Sequence, residues 1–223
     1  MKHRIIAIGD IHGHAAALAA VIRLIELQPG DTLVALGDYV DRGLDSKGVL
    51  NQLIELESRC NLILLMGNHE EMMLGAKEGR DNFKFWMQFG GDVALDSYGP
   101  GRTMDLIPRE HWDFLKRLRL LHESDRHFFV HANYYPNRSL QEQDWQTALW
   151  RPLDQNDIPG RHYSGKMAIL GHTPQKDGRI LYLDHLKCID TGCGQGGLLT
   201  ALDVTTGKVW QVTESGNSPG AKT

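Results

Sequence analysis

The sequence predicts an α/β fold, because patterns of buried strands alternate with patterns of amphipathic helices along its first third. Residues 4–8, 32–36 and 61–66 are short apolar runs of the kind that form buried strands. Helical patterns separate these runs. Strands joined by helices of this length usually pair in parallel through right-handed crossovers. Residues 1–75 are therefore predicted to form a β-α-β-α-β unit.

Each intervening helix is predicted from the spacing of its apolar residues. Residues 14–27 place Leu18, Val21, Ile22 and Ile25 on one face, and Pro29-Gly30-Asp31 ends the pattern. Ser46 is predicted to cap the second helix, whose inner face carries Val49, Leu50, Leu53 and Ile54.

The rest of the chain changes from helical to strand-like patterns. Residues 70–121 are predicted to be helical and irregular, with a core or covering helix at the aromatic-rich stretch 83–89 and a first helical turn at Pro108. Residues 133–165 are predicted to form a long loop with a helical turn. Six strand patterns indicate a second sheet that packs on the first or continues it: 127–130, 167–170, 179–183, 186–189, 198–204 and 208–212. We expect one domain over 1–213 and a flexible tail over 214–223.

Composition excludes several classes of function. The 223 residues carry a net charge of −4, with no basic block that would favour nucleic acid and no apolar stretch long enough for a membrane helix. The N-terminal apolar run is too short for a signal-peptide core. Three cysteines do not make a disulfide framework, and Cys188 and Cys193 are more typical of structural thiols. We therefore expect a cytoplasmic protein.

Polar residues follow the predicted strand ends in five places. The first three segments are Gly9-Asp10-Ile11-His12-Gly13, Gly37-Asp38-Tyr39-Val40-Asp41-Arg42-Gly43 and Gly67-Asn68-His69-Glu70, and His131 and His172 end two later runs. The carboxyl ends of parallel strands share one edge of a sheet, where α/β folds bind ligands. A single histidine there is more often structural, but five coincidences favour a metal site. Imidazoles with carboxylates and an amide suit Mn, Fe or Zn better than Ca or Mg.

The same segments resemble the phosphoprotein phosphatase family of metallophosphoesterases, in particular its small bacterial serine/threonine protein phosphatases. The matching motifs, GDIHG, GDYVDRG, GNHE, His131 and the GHTP segment at His172, span residues 9–174. The resemblance implies a β-sandwich of two mixed sheets flanked by helices. It implies one metal held by Asp10, His12 and Asp38 and a second held by Asp38, Asn68, His131 and His172. Two divalent ions per chain, Mn²⁺ before Fe or Zn, are the expected cofactors.

The remaining residues of these motifs suit phosphate-ester hydrolysis. Two cations can activate a shared water, so that a metal-bridging hydroxide attacks phosphorus in line. His69 is not needed as a ligand and is free to be the general acid, and Asp41 can hold it as imidazolium. The resemblance implies the same pairing.

Arginines and an amide are predicted to bind the substrate phosphate. Arg42 and Asn68 lie within the motifs, and a guanidinium can hold two phosphate oxygens at once. Relatives carry a second arginine near a tryptophan, which makes Arg151 our choice and Arg161 the alternative. Glu70 is left open between accepting a hydrogen bond from a neighbouring group and lying simply at a helix N-terminus.

The resemblance leaves two substrates open. The leading hypothesis is a phosphoserine/phosphothreonine protein phosphatase, and the alternative is a symmetrical diadenosine tetraphosphate hydrolase or a broad-specificity phosphoesterase. Asp41 and Glu70 favour the phosphatase, whereas Asp190-Thr191-Gly192-Cys193 with Gly196-Gly197 resembles the tetraphosphate hydrolases. Residues 192–197 also match a dinucleotide-binding pattern, but a strand follows, which favours a turn. We expect a monomer acting on phosphorylated protein or peptide, without nucleic acid or membrane partners.

Overall fold

The computed structural model describes residues 3–220 as two five-stranded sheets with helices against their outer faces. The strands are β1 Ile5–Ile8, β2 Thr32–Ala35, β3 Asn61–Leu64, β4 Leu121–Glu123, β5 His127–Val130, β6 Met167–Leu170, β7 Leu181–Tyr182, β8 Leu186–Cys188, β9 Leu198–Asp203 and β10 Val209–Thr213. The helices are α1 Ala15–Ile25, α2 Ser46–Leu56, α3 Asn68–Gly75, α4 Arg80–Trp86, α5 Asp92–Asp96, α6 Arg109–Leu115 and α7 Trp145–Trp150. Short 3₁₀ turns lie at Ala76–Glu78, Met104–Leu106 and Leu140–Glu142, and a π turn at Met87–Gly91.

The first sheet has the order β10-β9-β1-β2-β3 and confirms the predicted β-α-β-α-β unit. β1, β2 and β3 pair in parallel, so the chain returns through α1 and α2 between them. β9 adds antiparallel to β1, and β10 antiparallel to β9. The last two predicted strands therefore continue the first sheet.

The second sheet has the order β4-β5-β6-β8-β7 and packs face to face on the first. Ala7 and Val34 of the first sheet share one buried cluster with Phe129 and Ile169 of the second. Alternate residues point outward, because side chains alternate between the faces of a strand. Ile6 and Ile8 of β1 thus pack in the cluster of α1 and α2, and Phe128 of β5 joins a third cluster. The predicted two-sheet α/β architecture with flanking helices is confirmed.

Several local predictions differ from the structure. Asp45, not Ser46, caps α2, because its Oδ1 accepts the Gly48 N–H at 2.8 Å. Strand β4 lies at the end of the region that was predicted to be helical. The strand predicted at 179–183 is reduced to two residues in β7.

The aromatic-rich stretch divides between core and surface. Trp86 is fully buried, as predicted for a core helix, whereas Phe85 and Phe89 are 45% and 40% exposed. Cys60, Cys188 and Cys193 are free, and burial raises the thiol pKa of the last two, so these are the structural thiols expected. Across residues 3–220 no helix combines the length and the apolar character needed to cross a bilayer.

Candidate metal centre and active site

The loops that follow β1, β2, β3, β5 and β6 meet at one edge of the sandwich and bring the predicted site residues together. Asp10, His12, Asp38, Asn68 and His131 are buried there, and His172 is nearly so. Parallel pairing within each sheet causes this convergence, because it places the carboxyl ends of neighbouring strands side by side.

The backbone of these loops is strained. Seven non-glycine residues among those described have positive φ, and five belong to the predicted site: His12 (45°), Asp38 (52°), Asp41 (72°), Arg42 (66°) and His172 (64°). A left-handed conformation of a non-glycine residue costs on the order of 1–3 kcal/mol, so it persists only where other contacts enforce it. Strain of this kind clusters at functional sites, where it aims side chains at a common point.

Two groups of side chains could hold a metal ion. The first contains His12, Asp38 and His69 and the second Asp38, His131 and His172, with potential ligand atoms within 4.8 Å of one another. Asp38 belongs to both groups, which suits the bridging position predicted for it. The first group contains His69 in the place predicted for Asp10. Both Asp10 carboxylate oxygens instead accept the backbone N–H of His172 at 3.1 Å.

The three histidines predicted as ligands are each oriented by a backbone carbonyl. His12 and His131 present Nδ1 to the carbonyls of Val40 (3.2 Å) and Leu36 (2.8 Å), and His172 presents Nε2 to that of Trp150 (3.2 Å). A ring nitrogen facing a carbonyl carries the proton, so His12 and His172 keep the lone pair of the other nitrogen for the pocket. His131 instead faces the Leu36 carbonyl through Nδ1 and the Asn68 amide oxygen through Nε2.

The charge states also suit a cation. Burial lowers the pKa of His12 and His131 and that of His172 to about 4, so these rings are neutral, as metal binding requires. Burial alone would raise the pKa of Asp38, but at low pH the surrounding histidines are protonated and their charge holds that pKa well below its usual range. A neutral imidazole set around a shared carboxylate therefore fits two divalent cations.

Asp41 and His69 form a buried hydrogen-bonded pair. His69 Nδ1 lies 2.7 Å from Asp41 Oδ2, and both side chains are almost inaccessible to solvent. Burial opposes the charged form of His69, but Asp38 and Asp41 outweigh it and raise the histidine pKa. Burial raises the pKa of Asp41, and its contact with His69 opposes that shift. Nδ1 therefore donates to Asp41, and the two carboxylates favour a second proton on Nε2, which faces the pocket, whenever Arg42 does not donate to that atom.

Arg42 lies across the mouth of this pocket. Its guanidinium contacts Nε2 of His12 at 2.9 Å and Nε2 of His69 at 3.2 Å. The lone pair of His12 Nε2 can accept this hydrogen bond or bind a cation, but not both. Binding of a cation through that atom therefore releases Arg42 to contact another acceptor.

Of the other residues predicted to bind phosphate, Asn68 lies in the site, whereas the two arginines pair with carboxylates outside it. Asn68 lies within the site, with Oδ1 3.1 Å from His131 Nε2. Arg151 instead pairs with the carboxylate of Asp157, and Arg161 pairs with Asp184 at 2.9 Å. The backbone next to Arg151 borders the site through the Trp150 carbonyl, but its guanidinium is engaged elsewhere, so its role stays a prediction.

Glu70 accepts four backbone N–H groups, three from the second motif and one from Gly67 of its own motif. Its Oε2 accepts the N–H groups of Gly67 (2.9 Å) and Asp38 (2.8 Å), and its Oε1 accepts those of Tyr39 (2.7 Å) and Val40 (3.2 Å). Burial raises the pKa of Glu70 to about 8. A proton on either oxygen would nevertheless point at two N–H groups, so these contacts require the ionised form. Both interpretations left open for Glu70 therefore apply, since it lies in the first turn of α3 and also accepts hydrogen bonds from the Asp38 loop.

The turn at 192–197 lies against the site. It precedes strand β9, which agrees with its interpretation as a turn rather than a dinucleotide-binding segment. Gly194 packs so closely on His12 that an added Cβ would come within 2.7 Å of the histidine Cβ. Glu214 accepts the N–H groups of Gly194 (3.0 Å) and Gly196 (2.7 Å), so the start of the predicted tail contacts this turn. Residues 221–223 of that tail lie outside the described residues.

Asp190 is a further buried carboxylate near Asp10 and Asp38, named from the sequence only in the resemblance to the tetraphosphate hydrolases and not as a site residue. Burial and the charge of Asp38 raise its pKa to about 6. Its position after β8, at the same sheet edge, is a signal of the kind that identified the other residues.

Comparisons with known proteins agree with this geometry. A model of the calcineurin-like phosphoesterase family matches residues 3–183. Serine/threonine-protein phosphatase 1 of Salmonella typhimurium is 31% identical over 86% of this chain and 88% of its own length. The symmetrical bis(5'-nucleosyl)-tetraphosphatase of Bordetella pertussis is 33% identical over 95% of this chain and 96% of its own length. A crystal structure provisionally named a diadenosine tetraphosphatase has a TM-score of 0.69 and 23% identity, covering 95% of this chain and 93% of that one, which supports the fold.

Proposed function

This chain belongs to the calcineurin-like phosphoesterase family, and we propose that it removes phosphate from phosphoserine or phosphothreonine in proteins. The observation that carries the proposal is the Asp41–His69 pair at 2.7 Å, whose histidine also lies in one of the two groups of side chains that share Asp38 and could hold a metal. Metal binding alone does not need the hydrogen bond between Asp41 and His69. Expelling an alkoxide does, because an alkoxide leaves readily only when it receives a proton.

The chain's own residues divide the remaining tasks. Two divalent cations held by the site would lower the pKa of water and neutralise charge on the phosphoryl oxygens. We assign them to Asp10, His12 and Asp38 and to Asp38, Asn68, His131 and His172, with Mn²⁺ as the leading candidate. His69 donates the Nε2 proton to the serine or threonine oxygen as the P–O bond breaks, and Asp41 orients the ring.

Arg42 connects phosphate binding to this proton transfer. In the structure its guanidinium lies within hydrogen-bond distance of Nε2 of both His12 and His69, so neither Nε2 carries a proton while Arg42 donates to it. A phosphate group offers stronger acceptors, because charge-assisted bonds to its oxygens are roughly twice as strong as neutral ones. When Arg42 turns to the phosphate, His69 Nε2 is free to carry the proton to the leaving group. Arg151 is the second proposed clamp and would first have to leave Asp157.

The substrate class is the finer part of the proposal, since relatives of similar identity carry both names. The aspartate that pairs with the general-acid histidine, here Asp41 with His69, distinguishes the phosphatases that this sequence resembles from the tetraphosphate hydrolases. This chain has that partner, and its contact with His69 supports a phosphomonoester with an alcohol leaving group.

A direct comparison of substrates tests the proposal. Purified protein with Mn²⁺ is incubated with a phosphoserine peptide, a phosphothreonine peptide and diadenosine tetraphosphate, and kcat/KM is measured for each. We expect the phosphopeptides to be preferred and Asp41→Asn to lower their turnover. Asp113→Asn, on the exposed face of α6, is the matched control and should leave turnover unchanged. A large preference for the tetraphosphate would contradict the proposal.

A further inference from the structure

A fully buried tryptophan contacts the carboxylate of the Asp41–His69 pair. Trp86 Nε1 lies 3.0 Å from each oxygen of Asp41, although the residues are 45 positions apart. His69 Nδ1 approaches the same carboxylate through Oδ2. Asp41 is 0% exposed, so water does not reach it and its orientation depends on these neighbours.

Two glycines allow the Trp86 helix to come this close. Gly90, at φ 104°, lies against the backbone of Arg42, where an added Cβ would come within 2.7 Å of the Arg42 nitrogen. A Cβ on Gly91 would come within 2.6 Å of the indole ring. A side chain at Gly90 would push the π turn away from the second motif, and one at Gly91 would clash with the indole itself. The Gly90-Gly91 break therefore serves the placement of Trp86.

The indole N–H restricts how the carboxylate can turn. A carboxylate held by one hydrogen bond can rotate about its Cβ–Cγ bond and exchange its oxygens. Because the Trp86 N–H lies equally close to both oxygens, it holds the carboxylate plane, with Oδ2 toward His69. The histidine ring then keeps Nδ1 toward Asp41 and Nε2 toward the pocket.

We propose that Trp86 is a positioning residue that fixes the Asp41 carboxylate and, through it, His69 for protonation of the leaving group. The inference rests on the proposed function, because it assumes that His69 is the proton donor. In that step a water-derived oxygen forms a new bond to phosphorus, the P–O bond to the leaving group breaks, and the electron pair of the broken bond stays on the leaving oxygen. The proton of His69 Nε2 moves to that oxygen, so that an alcohol and inorganic phosphate result.

If Trp86 only filled the core, its replacement would be expected to give a different result. Loss of packing would affect every substrate to the same extent, through stability or through general distortion of the site. Loss of positioning affects substrates in proportion to their need for a proton. Phenolates with strongly electron-withdrawing groups leave without one, whereas phenolate and alkoxides do not.

The test compares leaving groups in Trp86→Phe, which keeps a buried aromatic ring and removes the N–H. We expect kcat to fall about 10-fold or more for phenyl phosphate and a phosphoserine peptide, and less than about 3-fold for 2,4-dinitrophenyl phosphate, with KM little changed. Trp112→Phe is the matched control, because Trp112 is buried and stacks under Lys77, and it should change neither value.

The outcomes of this comparison distinguish a failure of the positioning role from a failure of the proposed function. Equal loss for all three esters, or no loss, would overturn the positioning role of Trp86. If the wild-type protein hydrolysed none of the three esters, the proposed function itself would fail.

A spectroscopic measurement keeps the inference testable if Trp86→Phe does not fold. The chain has five tryptophans, so ¹⁵N-labelled protein with Zn²⁺ should show indole N–H resonances that can be followed singly. In Asp41→Asn we expect one of them to move upfield and to exchange faster with solvent, because a charge-assisted hydrogen bond becomes a neutral one. Indole resonances that are unchanged in Asp41→Asn would overturn the contact and the proposal.

Discussion

Replacing Glu70 by glutamine is expected to destabilise the protein strongly, although the side chains have nearly the same shape. The Glu70 carboxylate is fully buried and each of its oxygens accepts two backbone N–H groups. A glutamine has one oxygen and one NH₂ group, and the NH₂ cannot accept. Two N–H groups of the site loops would therefore lose their acceptor and face another donor.

The magnitude follows from those two orphaned donors. Each unsatisfied buried group costs about 1–3 kcal/mol, so Glu70→Gln should lose about 2–6 kcal/mol of unfolding free energy. For a chain of this length each kcal/mol corresponds to roughly 2–4 °C in Tm, so a fall near 10 °C is expected. The loop also carries Asp38 at φ 52°, a conformation that Glu70 helps to enforce. Metal affinity should fall with stability.

Urea denaturation and a thermal scan measure both effects, with and without Mn²⁺. The control is Glu110→Gln on the exposed first turn of α6, where the same chemical change should cost less than about 0.5 kcal/mol. If the unfolding free energy of Glu70→Gln lies within about 1 kcal/mol of the wild-type value, the argument from four N–H donors that share one carboxylate is refuted.

Three further predictions follow from the site and from one ion pair. Asp38→Asn should lower kcat by at least about 10²-fold, because it removes the carboxylate common to both groups, and near-normal turnover would contradict this assignment. Chelation of divalent ions should lower Tm, since a ligand at 100 times its Kd stabilises by about 2.7 kcal/mol, and an unchanged Tm would count against a bound metal. Arg4 Nε lies 3.0 Å from Asp31 Oδ1 and lowers the Asp31 pKa. The ion pair therefore stabilises the fold above the Asp pKa of the unfolded chain, about 3.9, and this stabilisation is lost as the pH falls through the lower Asp31 pKa of the folded chain. Asp31→Asn should therefore cost about 1–2 kcal/mol at pH 7 and progressively less below about pH 4, and a difference independent of pH would contradict the ion pair.

Most of the first sheet was predictable because its signals are local. Apolar spacing distinguishes strands from helices, and glycine with a polar residue marks the end of each strand. Boundaries moved by one or two residues, and the Ser46 cap was wrong because Asp45 offers the same chemistry one residue earlier. Strand β4 was missed, since three residues carry little periodicity.

The second sheet was predicted only in part, because strand order is not a local property. The sequence left open whether the later strands pack on the first sheet or continue it. In the structure β5 and β6 belong to a second sheet, whereas β9 and β10 extend the first. This division depends on which edges are free after the parallel core has formed, and no window of sequence contains that information.

The sequence by itself indicated most of the residues that gather at the site, because residues that end neighbouring parallel strands share one edge of a sheet. It thereby indicated the metal-binding side chains and the pairing of Asp41 with His69. It did not indicate Asp190 or Trp86 as site residues, nor the ion pair that holds Arg151 away from the site. Only the tertiary structure decided how these groups are held: Glu70 under the Asp38 loop, Trp86 on Asp41, and backbone carbonyls on the histidines. Those contacts join residues 22 to 95 positions apart and depend on packing distances, which residue types alone do not encode.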